Sequence, residues 1–212
     1  MLFFILYVIV YSVFIPVVTS LIKFKNHSAS SRALFYFLIF SGTTDIVVSQ
    51  FAAHRIDSTP GLHFYTVAEL LSLSYFFYTL FSASSKKRAI SIVAIAFIVL
   101  SVINTCFFQP LNHDNTYTRS LEALIMVAYC FMYFDQESRI RQSIKWEKKP
   151  ANWLVTGLLV YFAGAFFFFL FSNIITALSI STQNFLWCLH GALQIIMYLL
   201  ITVGYLNERG KW

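Results

Sequence analysis

Four ionisable side chains fall inside long apolar runs of the sequence: Asp45, Glu69, Glu122 and His190. An ionisable group at the centre of a membrane helix costs at least about 2.5–3.5 kcal/mol on insertion scales, so each one needs a reason. At a rise of about 1.5 Å per residue, Glu122 lies about 8 Å below the outer boundary of its run, His190 about 9 Å, Glu69 about 10 Å and Asp45 about 14 Å. Four separate segments therefore bring three carboxyls and an imidazole into one layer. Such a layer can bind a polar ligand, hold a metal, or fasten helices to one another.

The helical neighbours of these residues favour a pocket reached from outside. Asp45 has Ser41 and Ser49 one turn away on either side, and Glu69 has Tyr65 at i−4 with Thr66 and Ser72 at i−3 and i+3. His190 is followed one turn on by Gln194 and preceded by Trp187 at i−3. Glu122 follows Arg119 at the i+3 spacing that permits direct pairing. The expectation is that Glu69 and His190 contact a ligand, with Tyr65 and Gln194 beside them. Asp45 then forms the floor, and the Arg119–Glu122 pair shapes the entrance. Asn173, Gln183, His54, Arg55 and His63 are expected at the rim. The competing reading is that these polar groups only hold helices together, at roughly 0.6–2 kcal/mol each.

A metal would use Glu69, His190 and Glu122, since imidazole and carboxylate suit zinc or a similar ion. Intramembrane hydrolases of the alkaline ceramidase and adiponectin receptor type rely on a histidine pair, and here Gln194 occupies the second position. A metal-dependent lipid hydrolase is thus an alternative rather than the leading expectation, and no cofactor is expected. Retinal needs a lysine inside a span for its Schiff base, and every lysine here lies in a loop or the tail. No Gly-x-Ser-x-Gly elbow or ordered Ser/His/Asp arrangement marks a nucleophile. Asn26-His27-Ser28 is a glycosylation sequon on the expected cytoplasmic side and carries no reading. Transport finds little support, because no chain of ionisable residues crosses the inner half.

The elements that position these groups follow from composition. Of the 212 residues, 58% are hydrophobic and 11% are charged, against about 25% charged in soluble domains. Lipid is the solvent that explains the deficit, in units of about 20 apolar residues. Spans are expected near 2–22, 33–54, 62–83, 89–108, 117–135, 152–174 and 184–206, making residues 1–212 a single all-α seven-transmembrane-helix bundle. Pro16 is expected to kink the first span. Of the 15 lysines and arginines, only Arg55 and Arg119 fall on one side of this topology. The positive-inside bias then places the N-terminus outside and the C-terminus in the cytoplasm. The basic balance therefore sets orientation and implies no nucleic-acid partner. Trp146, Trp153, Trp187 and Trp212 lie near span ends, as interfacial anchors do. Cys106, Cys130 and Cys188 fall within apolar runs and read as small packing residues. The basic stretch from Arg139 to Lys149, within the loop 136–150, is a place where a protein partner or anionic headgroups can dock.

Spans 1–3 and 5–7 share one order around span 4, a possible 3+1+3 parallel repeat. Laying the third span on the seventh puts Glu69 on His190. TTDIVVS at 43–49, FYTVAELLSLSYFFY at 64–78, WLVTGLLVYFAGAFFFFLFSN at 153–173 and LWCLHGALQIIMYLL at 186–200 resemble stand-alone seven-helix inner-membrane proteins of bacteria with no assigned activity. The resemblance implies a bacterial cytoplasmic membrane, implies family-type placement of Glu69 and His190, and brings no substrate. Likeness to sensor and receptor seven-helix bundles is fold analogy. The expected function is a sensor that binds a small ligand or lipid and signals through a separate partner. A structural subunit of a membrane complex is a further alternative.

Overall fold

A computed structural model describes residues 8–139 and 145–208. Among them the chain is all-α, in the order α1 Val10–Ser12, α2 Phe14–Lys23, α3 Ala29–Ala53, α4 Thr59–Leu80, α5 Ser84–Phe107, α6 Thr116–Arg139, α7 Pro150–Leu170, α8 Ser172–Thr176 and α9 Ile180–Asn207. Short 3-10 turns occupy Phe24–Asn26 and Trp146–Lys148. Among the described residues four helices are long and apolar enough to cross a bilayer: α3, α5, α7 and α9. The chain is a multi-pass membrane protein.

The helix starts are written locally. Ser28 caps α3 by accepting from the Ser31 N–H, and Ser179 caps α9 by accepting from Thr182 N–H. Pro150 opens α7 at a position whose N–H has no helical partner anyway. Before α4, Asp57 Oδ1 accepts from Thr59 N–H at 2.9 Å, and the Thr59 hydroxyl and N–H hold that carboxyl below its usual range. At the far end of α3, Arg55 takes the left-handed conformation (φ 57°) while Ile56 N–H returns to Phe51 O at 2.8 Å.

Two expectations about helix continuity need revision. The first span is interrupted at Val13, between α1 and α2. Pro16 lacks the N–H that would bond Ser12 O, so the break falls just upstream of the proline. The sixth span does not run to 174: α7 ends at Leu170, and α8 restarts after Phe171.

Packing closes a ring. α7 lies between α6 and α9, α4 touches α3 and α6, and α2 joins α9 to α3. α5 stands outside, against α4 and α6, with Ile92, Ile95, Val99 and Val102 on its outer surface. α4 is the inner partner, with Leu70, Leu73, Phe76 and Phe77 fully buried. That position explains why α4 and α6 carry polar residues that a lipid-facing helix would exclude. Close contacts need small residues. A Cβ on Gly157 would sit 3.0 Å from Met197 O, so α7 and α9 meet nearly backbone to backbone there. A Cβ on Gly191 would overlap the Ile9 side chain, so the glycine lets the segment before α1 lie close against α9.

The basic stretch is partly tied down. Lys149 Nζ lies 2.6 Å from Glu137 Oε2, and Arg139 pairs with Asp135 at 2.9 Å. Trp153 donates to Glu147 O at 2.8 Å and packs edge-on against Trp146, their ring centres 5.4 Å apart. Residues 140–144, with Arg141, and the tail residues Arg209, Lys211 and Trp212 lie outside the described residues, as does the start of the first expected span. Of the cysteines, Cys130 is buried in the core while Cys106 is exposed. The packing reading thus fits Cys130 and fails for Cys106, which sits near the end of the outer helix α5.

Candidate functional site

The ring encloses a cavity of about 360 Å³ lined from α1, α3, α4, α6, α7 and α9. α5 contributes nothing to it. Six of the expected residues line it: Asp45, Tyr65, Glu69, Arg119, His190 and Gln194. Because these come from four helices, only the closed ring brings them together.

Each is placed by its own helix. Gln194 Nε2 donates to Asp45 Oδ2 at 3.0 Å and lies 3.0 Å from the Tyr198 hydroxyl, which ties α9 to α3. The Tyr65 hydroxyl is 2.9 Å from Ser41 Oγ, with Glu69 one turn along the same helix. His190 is surrounded by the rings of Tyr161, Phe168, Phe169 and Trp187, with centroids 5.3–5.8 Å away. Among the described residues neither imidazole nitrogen finds a hydrogen-bond partner, and Nδ1 is fully enclosed. The Arg119 guanidinium stacks over the Phe169 ring at 4.3 Å. It shares the cavity lining with Glu69, Tyr161 and Tyr65, yet among the described residues no carboxylate pairs with it within 4 Å, and its Nε is buried without a partner there.

Glu122 departs from the expectation. It does not line the cavity or shape an entrance; it is fully buried, and neither of its oxygens has a hydrogen-bond partner. The i+3 pair with Arg119 does not form, because the guanidinium is drawn over Phe169 instead. A metal set of Glu69, His190 and Glu122 is not assembled either. Among the described residues no three histidine, cysteine, aspartate or glutamate side chains group closely enough to hold an ion. The expected rim residues are also elsewhere. His63 is buried, 2.8 Å from His113 O and 3.3 Å from Thr105 Oγ1. Gln183 donates to Thr176 O and Leu178 O at 2.9 Å each. His54, Arg55 and Asn173 do not line the cavity.

Sequence reasoning missed Tyr161, which lies in an unbroken apolar run where its hydroxyl was the only signal. Trp187, expected both at an interface and one turn before His190, forms the edge of the ring cage around it.

A second polar cluster lies at the other end of the ring. Ser20 Oγ is 2.7 Å from His27 Nε2, and His27 Nδ1 is 3.1 Å from Glu208 Oε2. Ser28 N–H donates to the same oxygen at 3.3 Å, and the Ser28 and Ser31 hydroxyls donate to Glu208 Oε1. Tyr205 stacks on His27 at 4.9 Å and donates to Ser31 O, and Lys23 Nζ donates to Leu206 O. The Ser–His–carboxylate order is that of a hydrolase relay. Ser20, however, has no exposed surface and does not line the adjoining cavity, so no substrate carbonyl reaches its Oγ. The cluster is a brace joining α2, the start of α3 and the end of α9.

Comparison with known proteins finds no matching family model, no matching curated protein and no matching solved structure. The likeness to stand-alone bacterial membrane proteins is therefore not resolved into a family, and the functional argument rests on the geometry.

Proposed function

We propose that the chain is a seven-span bundle, with its N-terminus outside and its C-terminus in the cytoplasm, that binds a small ligand or lipid in its polar cavity. One observation carries this reading: Glu69, Arg119 and His190 come from three helices to one cavity, and no ion pair among the described residues joins them. Polar groups that serve only to fasten membrane helices are expected to bond to one another. Buried polar atoms left without partners call for another explanation, such as a ligand or water. The volume falls within the roughly 300–1,000 Å³ of small-molecule sites, and the lining is apolar and aromatic with a few convergent polar groups, as such sites are. Occupancy would bias the ring, and the change would be read by a partner at residues 136–150 on the cytoplasmic side.

The test is ligand retention. Protein purified in lipid nanodiscs should carry a small molecule detectable by native mass spectrometry. Glu69→Gln and His190→Ala should lose it while keeping the unfolding midpoint of the unmodified chain. Loss of folded protein in both variants, with nothing bound to the original, would instead assign the cluster to helix association.

A further inference from the structure

We infer that the ligand is a small zwitterion, carrying an ammonium and a carboxylate a few bonds apart on an apolar body. This rests on the reading of the cavity as a ligand site and narrows it to one chemical class.

The lining sets two carboxyl groups, Asp45 on α3 and Glu69 on α4, against the Arg119 guanidinium on α6, with the His190 imidazole on α9 as a further N–H donor. In most buried sites of mixed charge the opposite groups neutralise each other directly, because an unpaired charge out of water is costly. Among the described residues no pair forms between them within 4 Å, and only Asp45 Oδ2 is taken, by the neutral amide of Gln194. The guanidinium is instead held in place by stacking on Phe169, and the imidazole by its ring cage. Both are fixed without consuming a hydrogen bond.

A ligand of one charge satisfies only half of this site. A simple amine would meet Asp45 and Glu69 while leaving Arg119 uncompensated beside its own positive charge. A simple carboxylic acid would meet Arg119 and His190 while facing two acids. A zwitterion completes both halves: its ammonium donates to the acids, and its carboxylate accepts from the guanidinium and the imidazole. Its apolar part has Phe37, Val48, Leu62, Phe162 and Met197 to pack against. At roughly 30 Å³ per water of liquid, a cavity of about 360 Å³ has room for such a molecule.

The experiment uses the full chain in nanodiscs and three matched sets of probes. Leucine, phenylalanine and tryptophan are each compared with the same skeleton lacking the amine and with the same skeleton lacking the carboxylate. Binding is read by isothermal titration and by the shift of the unfolding midpoint. At least one zwitterion is expected to bind tenfold or more tightly than both of its single-charge partners. Arg119→Gln and Asp45→Asn are each expected to reduce that affinity tenfold, and the unfolding midpoint without ligand shows whether either variant remains folded. Should one of them fail to fold, Glu69→Gln is expected to give the same loss. Equal or tighter binding of an amine or an acid overturns the zwitterion while leaving the cavity a ligand site. Binding by no zwitterion of the three also overturns it, and a retained molecule of another class in the native mass spectrum would then preserve the broader reading. The absence of any retained molecule would remove both.

Discussion

The two polar clusters of this bundle are built from the same residue types and differ in how their hydrogen bonds are spent. In the brace, both nitrogens of His27 and both oxygens of Glu208 are engaged, and the carboxylate accepts the N–H of Ser28, the residue that caps α3. In the cavity, His190 has no hydrogen bond and Arg119 no ion pair, although both are held in position by aromatic rings. A satisfied cluster fixes helices relative to one another. An unsatisfied one is costly to the fold, and its retention points to something outside the chain. Residue identity does not separate the two cases; partner accounting does.

The sharpest way to break the comparison is to remove the central acid of the brace. Glu208→Ala leaves His27, Ser28 N–H and Ser31 without their acceptor, and should destabilise the protein by about 3 kcal/mol or more, measured as the loss in unfolding free energy in nanodiscs. Gly157→Val comes next, because its added Cβ meets the Met197 carbonyl; overpacking of this kind should cost about 1–3 kcal/mol, read in the same assay. Glu69→Gln should change ligand affinity tenfold, about 1.4 kcal/mol, while the unfolding free energy without ligand stays put. The smallest effect belongs to Glu122→Gln. Its carboxyl has no partner to lose, so stability should move by less than about 1 kcal/mol. A large loss there would show that Glu122 holds a bond the comparison does not credit.

Much of this was legible in the residues. Apolar runs located the helices to within a few positions, and the common depth of Asp45, Glu69 and His190 anticipated their meeting in one cavity. Depth could not say which helix stands apart, so the outer place of α5 had no signal. Nor could spacing decide a choice between partners. Arg119 and Glu122 stand at a pairing distance along α6, but Phe169 from α7 takes the guanidinium. The brace was invisible for a different reason. His27 and Glu208 are 181 positions apart, and nothing near either residue in sequence names the other. Pro16 announced a break but not its place, which falls upstream where the unbonded carbonyl lies.

The meeting of Gly191 with Ile9 has a consequence for how the sequence can drift. A side chain at 191 requires the Ile9 side chain to move, so changes at the two positions are coupled. Gly42 with Val13 and Gly164 with Leu193 make the same bargain of small against branched. Among diverging copies of this chain, a larger residue on one side of each contact should arrive with a smaller one opposite. Compensated doubles such as Gly191→Ala with Ile9→Ala should then be tolerated where Gly191→Ala alone is not.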